Sequence, residues 1–136
     1  MSTRVPRSSG RAAVIKIDPQ RRIVTSTFFG PVTDATLLRH GASIAAEPNF
    51  NPTYAEIVDF TNAGVDAISE ATLAALSQTK SLYDLGVPHV VVATSQAMIA
   101  IASKYQQVAR DSRPNLFIVG TLAEAYELLA AQGYGR

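Results

Sequence analysis

Twice in this chain, polar side chains follow directly on an apolar run, and chemistry would have to be organised there. Asp59, Thr61 and Asn62 come after Ile57-Val58, and Thr94 and Ser95 come after Val90-Val91-Val92. If both runs are parallel strands, these residues stand at neighbouring carboxyl ends, where open α/β sheets bind ligands, and they could hydrogen-bond a polar group. Simpler roles compete with that one. Asp59 can accept hydrogen bonds from the turn that follows it, and Ser95 can cap the next helix. Tyr105 joins the candidates through the stripe Met98, Ile101 and Tyr105, which fits core packing and is also a surface that would line an apolar pocket. Lys104 is no catalytic partner for Tyr105, because adjacent helix residues point about 100° apart.

Other chemistry finds little support. His40 and His89 are the only histidines and are far apart in the chain, whereas a metal centre needs three or more ligands at workable spacing. There is no Gly-x-Ser-x-Gly turn to present a nucleophile, and the glycines at 30, 41, 64, 86 and 120 are too dispersed to form a phosphate-cradling loop. Cysteine is absent, which removes thiolate nucleophiles, zinc-thiolate sites and disulfides. The expectation is a non-enzymatic protein without cofactor or metal.

The elements that must hold these residues follow from periodicity. Val14, Ile15 and Ile17, the turn Asp18-Pro19-Gln20-Arg21-Arg22, and the run from Ile23 to Phe29 ending at Gly30-Pro31 predict an antiparallel hairpin. Thr33 or Asp34 caps a first helix carrying Leu37, Leu38, Ile44 and Ala45. A strand over residues 54–60 leads into a turn over residues 61–64. Ser69 then starts a helix with Leu73, Leu76 and Leu82 that stops at Gly86. His89 to Ala93 reads as a central strand covered on both faces. Ser95 caps a helix through Ala109, residues 116–119 form a fifth strand, and Thr121 caps a last helix. The order β-β-α-β-α-β-α-β-α predicts an α/β fold: a mainly parallel five-stranded sheet with an N-terminal antiparallel hairpin and four helices.

Bulk properties agree with one folded domain. The chain has 136 residues, 47% hydrophobic and 17% charged, an ordinary globular mixture. Residues 1–11 are expected to be a flexible basic tail holding Arg4, Arg7 and Arg11, and residues 12–133 to form a single domain. Of the twelve Lys and Arg, nine remain after the tail, against eleven Asp and Glu, so the domain is slightly acidic and offers no basic cluster for nucleic acid. No signal peptide and no membrane span of ~20 apolar residues is present, which makes the cytoplasm the default location.

Four stretches carry a resemblance: Ile17-Asp18-Pro19-Gln20-Arg21-Arg22-Ile23-Val24, Phe29-Gly30-Pro31-Val32-Thr33, Ile57-Val58-Asp59-Phe60 and Ala102-Ser103-Lys104-Tyr105-Gln106. Together they resemble the SpoIIAA-like family, small STAS-like domains related to anti-sigma-factor antagonists and linked to the CRAL-TRIO lipid-binding fold. The likeness spans about residues 13–130 and carries no catalytic signature. It implies a regulatory or protein-interaction module with a protein partner. In the antagonists an Asp-Ser-Ser-Gly turn is phosphorylated. Here Asp66 falls near that Asp, but Ala67 and Ile68 take the places of the serines, leaving Ser69 as the candidate phosphosite, with a plain helix cap the favoured reading of that residue. The lipid-binding relatives imply the alternative, a pocket for a small molecule or lipid between helices and sheet. Self-association into a homodimer through a sheet edge or apolar helix face fits a domain of this size.

Overall fold

A computed structural model describes residues 13–79 and 81–135, so the tail expected over residues 1–11 lies outside the described residues. The β-branched residues at the start form the hairpin: β1 (Ala13–Asp18) pairs antiparallel with β2 (Ile23–Val32). Asp18 organises its turn, with Oδ1 accepting from the Arg21 N–H at 3.1 Å and its carbonyl from the Arg22 N–H at 2.8 Å. The chain continues through α1 (Asp34–Ala45), β3 (Ala55–Val65), α2 (Glu70–Gln78), β4 (His89–Val92), α3 (Gln96–Val108), β5 (Leu116–Val119) and α4 (Leu122–Ala131). Every helix starts on a hydroxyl cap. Thr33, Ser69, Ser95 and Thr121 accept from the backbone N–H groups of Thr36, Thr72, Met98 and Glu124, each satisfying a donor that has no partner within its helix.

The strands lie in sequence order, β1-β2-β3-β4-β5, and β2 to β5 are parallel. Right-handed crossovers that all step in the same direction put α1, α2 and α3 on one face of the sheet. The last helix, α4, has no strand to return to and covers the other. Strand alternation sorts the core to match. Ala55, Ile57, Val90 and Val92 pack with Ala125 and Leu129 of α4, while Phe28, Phe60 and Val91 pack with Leu37 of α1 and Met98 and Ala102 of α3. The end of the chain is tied to the hairpin turn: Arg21 stacks over Tyr126 at 4.7 Å, Arg22 over Tyr134 at 4.8 Å, and Arg22 Nη2 donates to the Gly133 carbonyl.

Two segments differ from the sequence expectation. Residues 61–64 are strand and not turn, because β3 runs on to Val65 beside a β2 that passes through Gly30-Pro31 to Val32. A register shift between Thr27 and Phe29 bends this pairing, and Gly30 takes φ of 65°, a conformation open to it because it lacks Cβ. Ladder pairing here overrides the turn preference of Asn62 and Gly64. The second helix stops at Gln78 and not at Gly86, because Ser77 Oγ and Thr79 Oγ1 donate to the carbonyls of Ala74 and Ala75 at 2.7 and 2.8 Å and close the helix end.

Candidate functional site

Between the sheet and the three-helix face lies a cavity of about 360 Å³. Its walls are largely apolar: Phe28, Val58 and Val91 rise from the sheet, Leu37 and Leu73 come from α1 and α2, and Met98, Ile101 and Tyr105 from α3. Leu38 and Leu82 also line it while remaining 52% and 37% exposed, so they mark where the cavity reaches the surface.

One part of the lining is polar, and strand register builds it. Glu56 of β3 and His89 of β4 are partners in the parallel ladder, so their side chains leave the sheet side by side toward the helices. His89 Nδ1 stands 2.8 Å from Glu56 Oε1. His40 of α1 brings Nε2 to 3.6 Å from Glu56 Oε2, within ion-pair range but too long for a hydrogen bond. Tyr83 closes the group, its ring edge-on to His89 at 5.0 Å and to Phe50 at 5.2 Å, while the His40 ring rests on Phe28 at 5.1 Å.

The electrostatics follow from this geometry. Burial alone would raise the Glu56 pKa, but the imidazoles of His40 and His89 outweigh it and hold the carboxyl far below its usual range. Tyr83 is pushed well above the ordinary phenol range, first by burial and then by the Glu56 charge. Burial pushes Tyr105 up to about 12, with Arg113, 5.8 Å from its ring centre, acting in the opposite direction. Arg113 Nη1 donates to the Leu76 carbonyl at 3.3 Å and to Ser112 Oγ at 3.0 Å.

Both ring nitrogens of His40 and the Tyr83 hydroxyl are buried and have no hydrogen-bond partner among the described residues, and both residues line the cavity. An unsatisfied buried polar group costs about 1–3 kcal/mol, so a polar atom placed here would be stabilised. Among the described residues no group of three or more His, Asp or Glu side chains is arranged to hold a metal ion. None of the described helices is long and apolar enough to cross a membrane.

Of the six residues singled out by sequence, only Tyr105 lines this cavity. Asp59 is buried with Oδ1 accepting from the Thr61 N–H at 2.9 Å and from Thr61 Oγ1 at 2.5 Å, which occupies both residues with each other. Asn62 and Thr94 are exposed, and Ser95 Oγ accepts from the Met98 N–H at 3.1 Å. Ser69 is exposed, capping α2 through Oγ and donating its own N–H to Asp34 Oδ1 at 3.0 Å. In the sequence, His40 and His89 are considered only as metal ligands and set aside as too far apart, and neither Glu56 nor Tyr83 is singled out. The available signal was a lone carboxylate inside the apolar run Ala55-Glu56-Ile57 and a histidine opening the run His89-Val90-Val91.

No protein-family model and no curated protein matches the sequence. In structure, the chain is similar to the crystal structure of an uncharacterized protein from the DUF3478 family with a SpoIIAA-like fold from Shewanella loihica PV-4, at 13% identity and a TM-score of 0.50. The alignment covers 95% of this chain and 98% of that one. The chain thus has the SpoIIAA-like α/β fold that its sequence motifs implied.

Proposed function

We propose that this chain is a non-enzymatic binding domain that takes one small, mainly apolar molecule between its sheet and the face made by α1, α2 and α3. The observation that carries the reading is the cavity itself: apolar walls, with unpartnered buried polar atoms of His40 and Tyr83 along one part of them. That combination, an apolar enclosure with a few polar groups to fix orientation, is the ordinary composition of a small-molecule site. At roughly 30 Å³ per water-sized unit, the 360 Å³ enclosed corresponds to about a dozen non-hydrogen atoms, and a longer occupant would protrude where the cavity opens at Leu38 and Leu82. Native mass spectrometry of protein purified from cells tests this. A bound species of that size supports it; an apo chain, together with failure to take up any small apolar compound added in excess, counts against it.

A regulatory reading draws on Ser69. Its N–H ties the start of α2 to Asp34 at the start of α1, and those two helices wall the cavity. A phosphoryl group on Ser69 would lie near the Asp34 carboxylate, and like-charge repulsion would loosen that tie. Phosphoproteomics of native cells, with a pull-down comparing Ser69→Ala and Ser69→Asp, tests it. Absence of the modification and identical partner sets would remove it.

A further inference from the structure

The polar lining of the cavity restricts what kind of head group it can take. Glu56 keeps its negative charge, so an anionic head placed beside it is repelled in a poorly solvated site. Arg113 also lines the cavity, lies over the Tyr105 ring and acts electrostatically on both Tyr83 and Tyr105, so a cationic head meets a fixed positive charge. In the same lining, beside Glu56, are the unpartnered groups, the Tyr83 hydroxyl and the ring nitrogens of His40. Tyr83 is 8% exposed and its ring is fixed edge-on against both Phe50 and His89, so its hydroxyl cannot swing out to water. A neutral imidazole offers one donor and one acceptor, and a phenol offers both. His40 Nε2 faces Glu56 Oε2 at 3.6 Å, so in the neutral ring the N–H lies on that side and Nδ1 is the nitrogen left to accept. An ether or ketone, which can only accept, would leave it without a partner. A hydroxyl accepts from one group and donates to the other.

We infer that the ligand is a neutral hydroxyl compound, an alcohol or phenol of about a dozen non-hydrogen atoms, whose hydroxyl accepts from Tyr83 and donates to His40 while its carbon skeleton fills the apolar part of the cavity. This rests on the reading of the cavity as a ligand site and goes further by assigning the head group.

The test is calorimetric titration of the full chain with nonanol, nonanoate and nonylammonium, which share one skeleton, and with butylbenzene as an apolar probe. Nonanol should bind at least about tenfold more tightly than either charged analogue. Tyr83→Phe keeps the ring and removes the hydroxyl; it should weaken nonanol about fivefold and leave butylbenzene unchanged. Should that variant not fold, the ligand series on the unaltered chain decides alone. Nonanoate or nonylammonium binding as tightly as nonanol overturns the head-group assignment. If butylbenzene binds and nonanol gains nothing over it, the assignment falls while the cavity remains a ligand site. If none of the four binds, both fall.

Discussion

Replacing Glu56 by Gln preserves the side-chain shape and a carbonyl oxygen for His89 but removes the charge. In the native chain the carboxylate takes a hydrogen bond from His89 Nδ1 at 2.8 Å and lies 3.6 Å from His40 Nε2. A hydrogen bond to a charged group contributes about 1.5–3 kcal/mol and a neutral one about 0.5–1.5, so Glu56→Gln should cost about 1–2 kcal/mol. For a chain of this length each kcal/mol is worth about 4 °C, giving a melting temperature lower by about 4–8 °C. The pH dependence supplies a second, sharper expectation. The folded chain holds the Glu56 carboxyl below its ordinary value of 4.5, so the stability it contributes is complete above that value and is lost as pH falls toward the folded value. Gln does not titrate. The gap between the two proteins should therefore be full near neutral pH and shrink progressively with acidification below the ordinary value. Urea unfolding followed by far-ultraviolet circular dichroism measures it, since the chain has no Trp to report by fluorescence. Equal stability at neutral pH, or a gap that acid leaves unchanged, would refute the reasoning.

Gly41 lines the cavity from within α1, and a Cβ built there meets nothing within 4 Å. Gly41→Ala should therefore stabilise by about 0.5–1 kcal/mol in thermal unfolding, while Gly41→Leu should fold equally well and bind nonanol at least about tenfold more weakly in calorimetry. Ser95→Ala removes the α3 cap, so it should cost about 1 kcal/mol in urea unfolding without changing nonanol affinity; a loss of affinity would return Ser95 to the binding site. Arg22→Ala removes the stack on Tyr134 and the hydrogen bond to Gly133, so hydrogen exchange should quicken at residues 133–135 and stay unchanged in β4.

Local signals in the sequence were sufficient for the fold. Thr33, Ser69, Ser95 and Thr121 each precede a helix-forming segment and each is a cap in the structure, because capping depends only on a hydroxyl and a backbone N–H a few residues away. The strands at His89–Val92 and Leu116–Val119 are short apolar runs bounded by polar residues and were equally plain. The extension of β3 to Val65 was not, because it depends on pairing with residues 29–32 of β2 and not on the intrinsic preferences of Asn62 and Gly64. The polar lining of the cavity was hidden for the same reason. Glu56 meets His89 only because two strands separated by a helix begin in a particular register, and His40 joins them only because α1 crosses over that point. Half of the site could still be read: the stripe of Met98, Ile101 and Tyr105 showed which face of α3 would turn inward, though not that a cavity would remain beneath it.

The reading of the cavity as a ligand site is tested most directly by methyl-resolved NMR of the full chain titrated with nonanol. The methyl groups of Leu73, Val91 and Ile101, which line the cavity on three different elements, should shift together and saturate at one equivalent, while that of Leu85, 74% exposed and not part of the lining, stays in place. Shifts confined to exposed residues, or none at Leu73, Val91 and Ile101 at saturating nonanol, would contradict it.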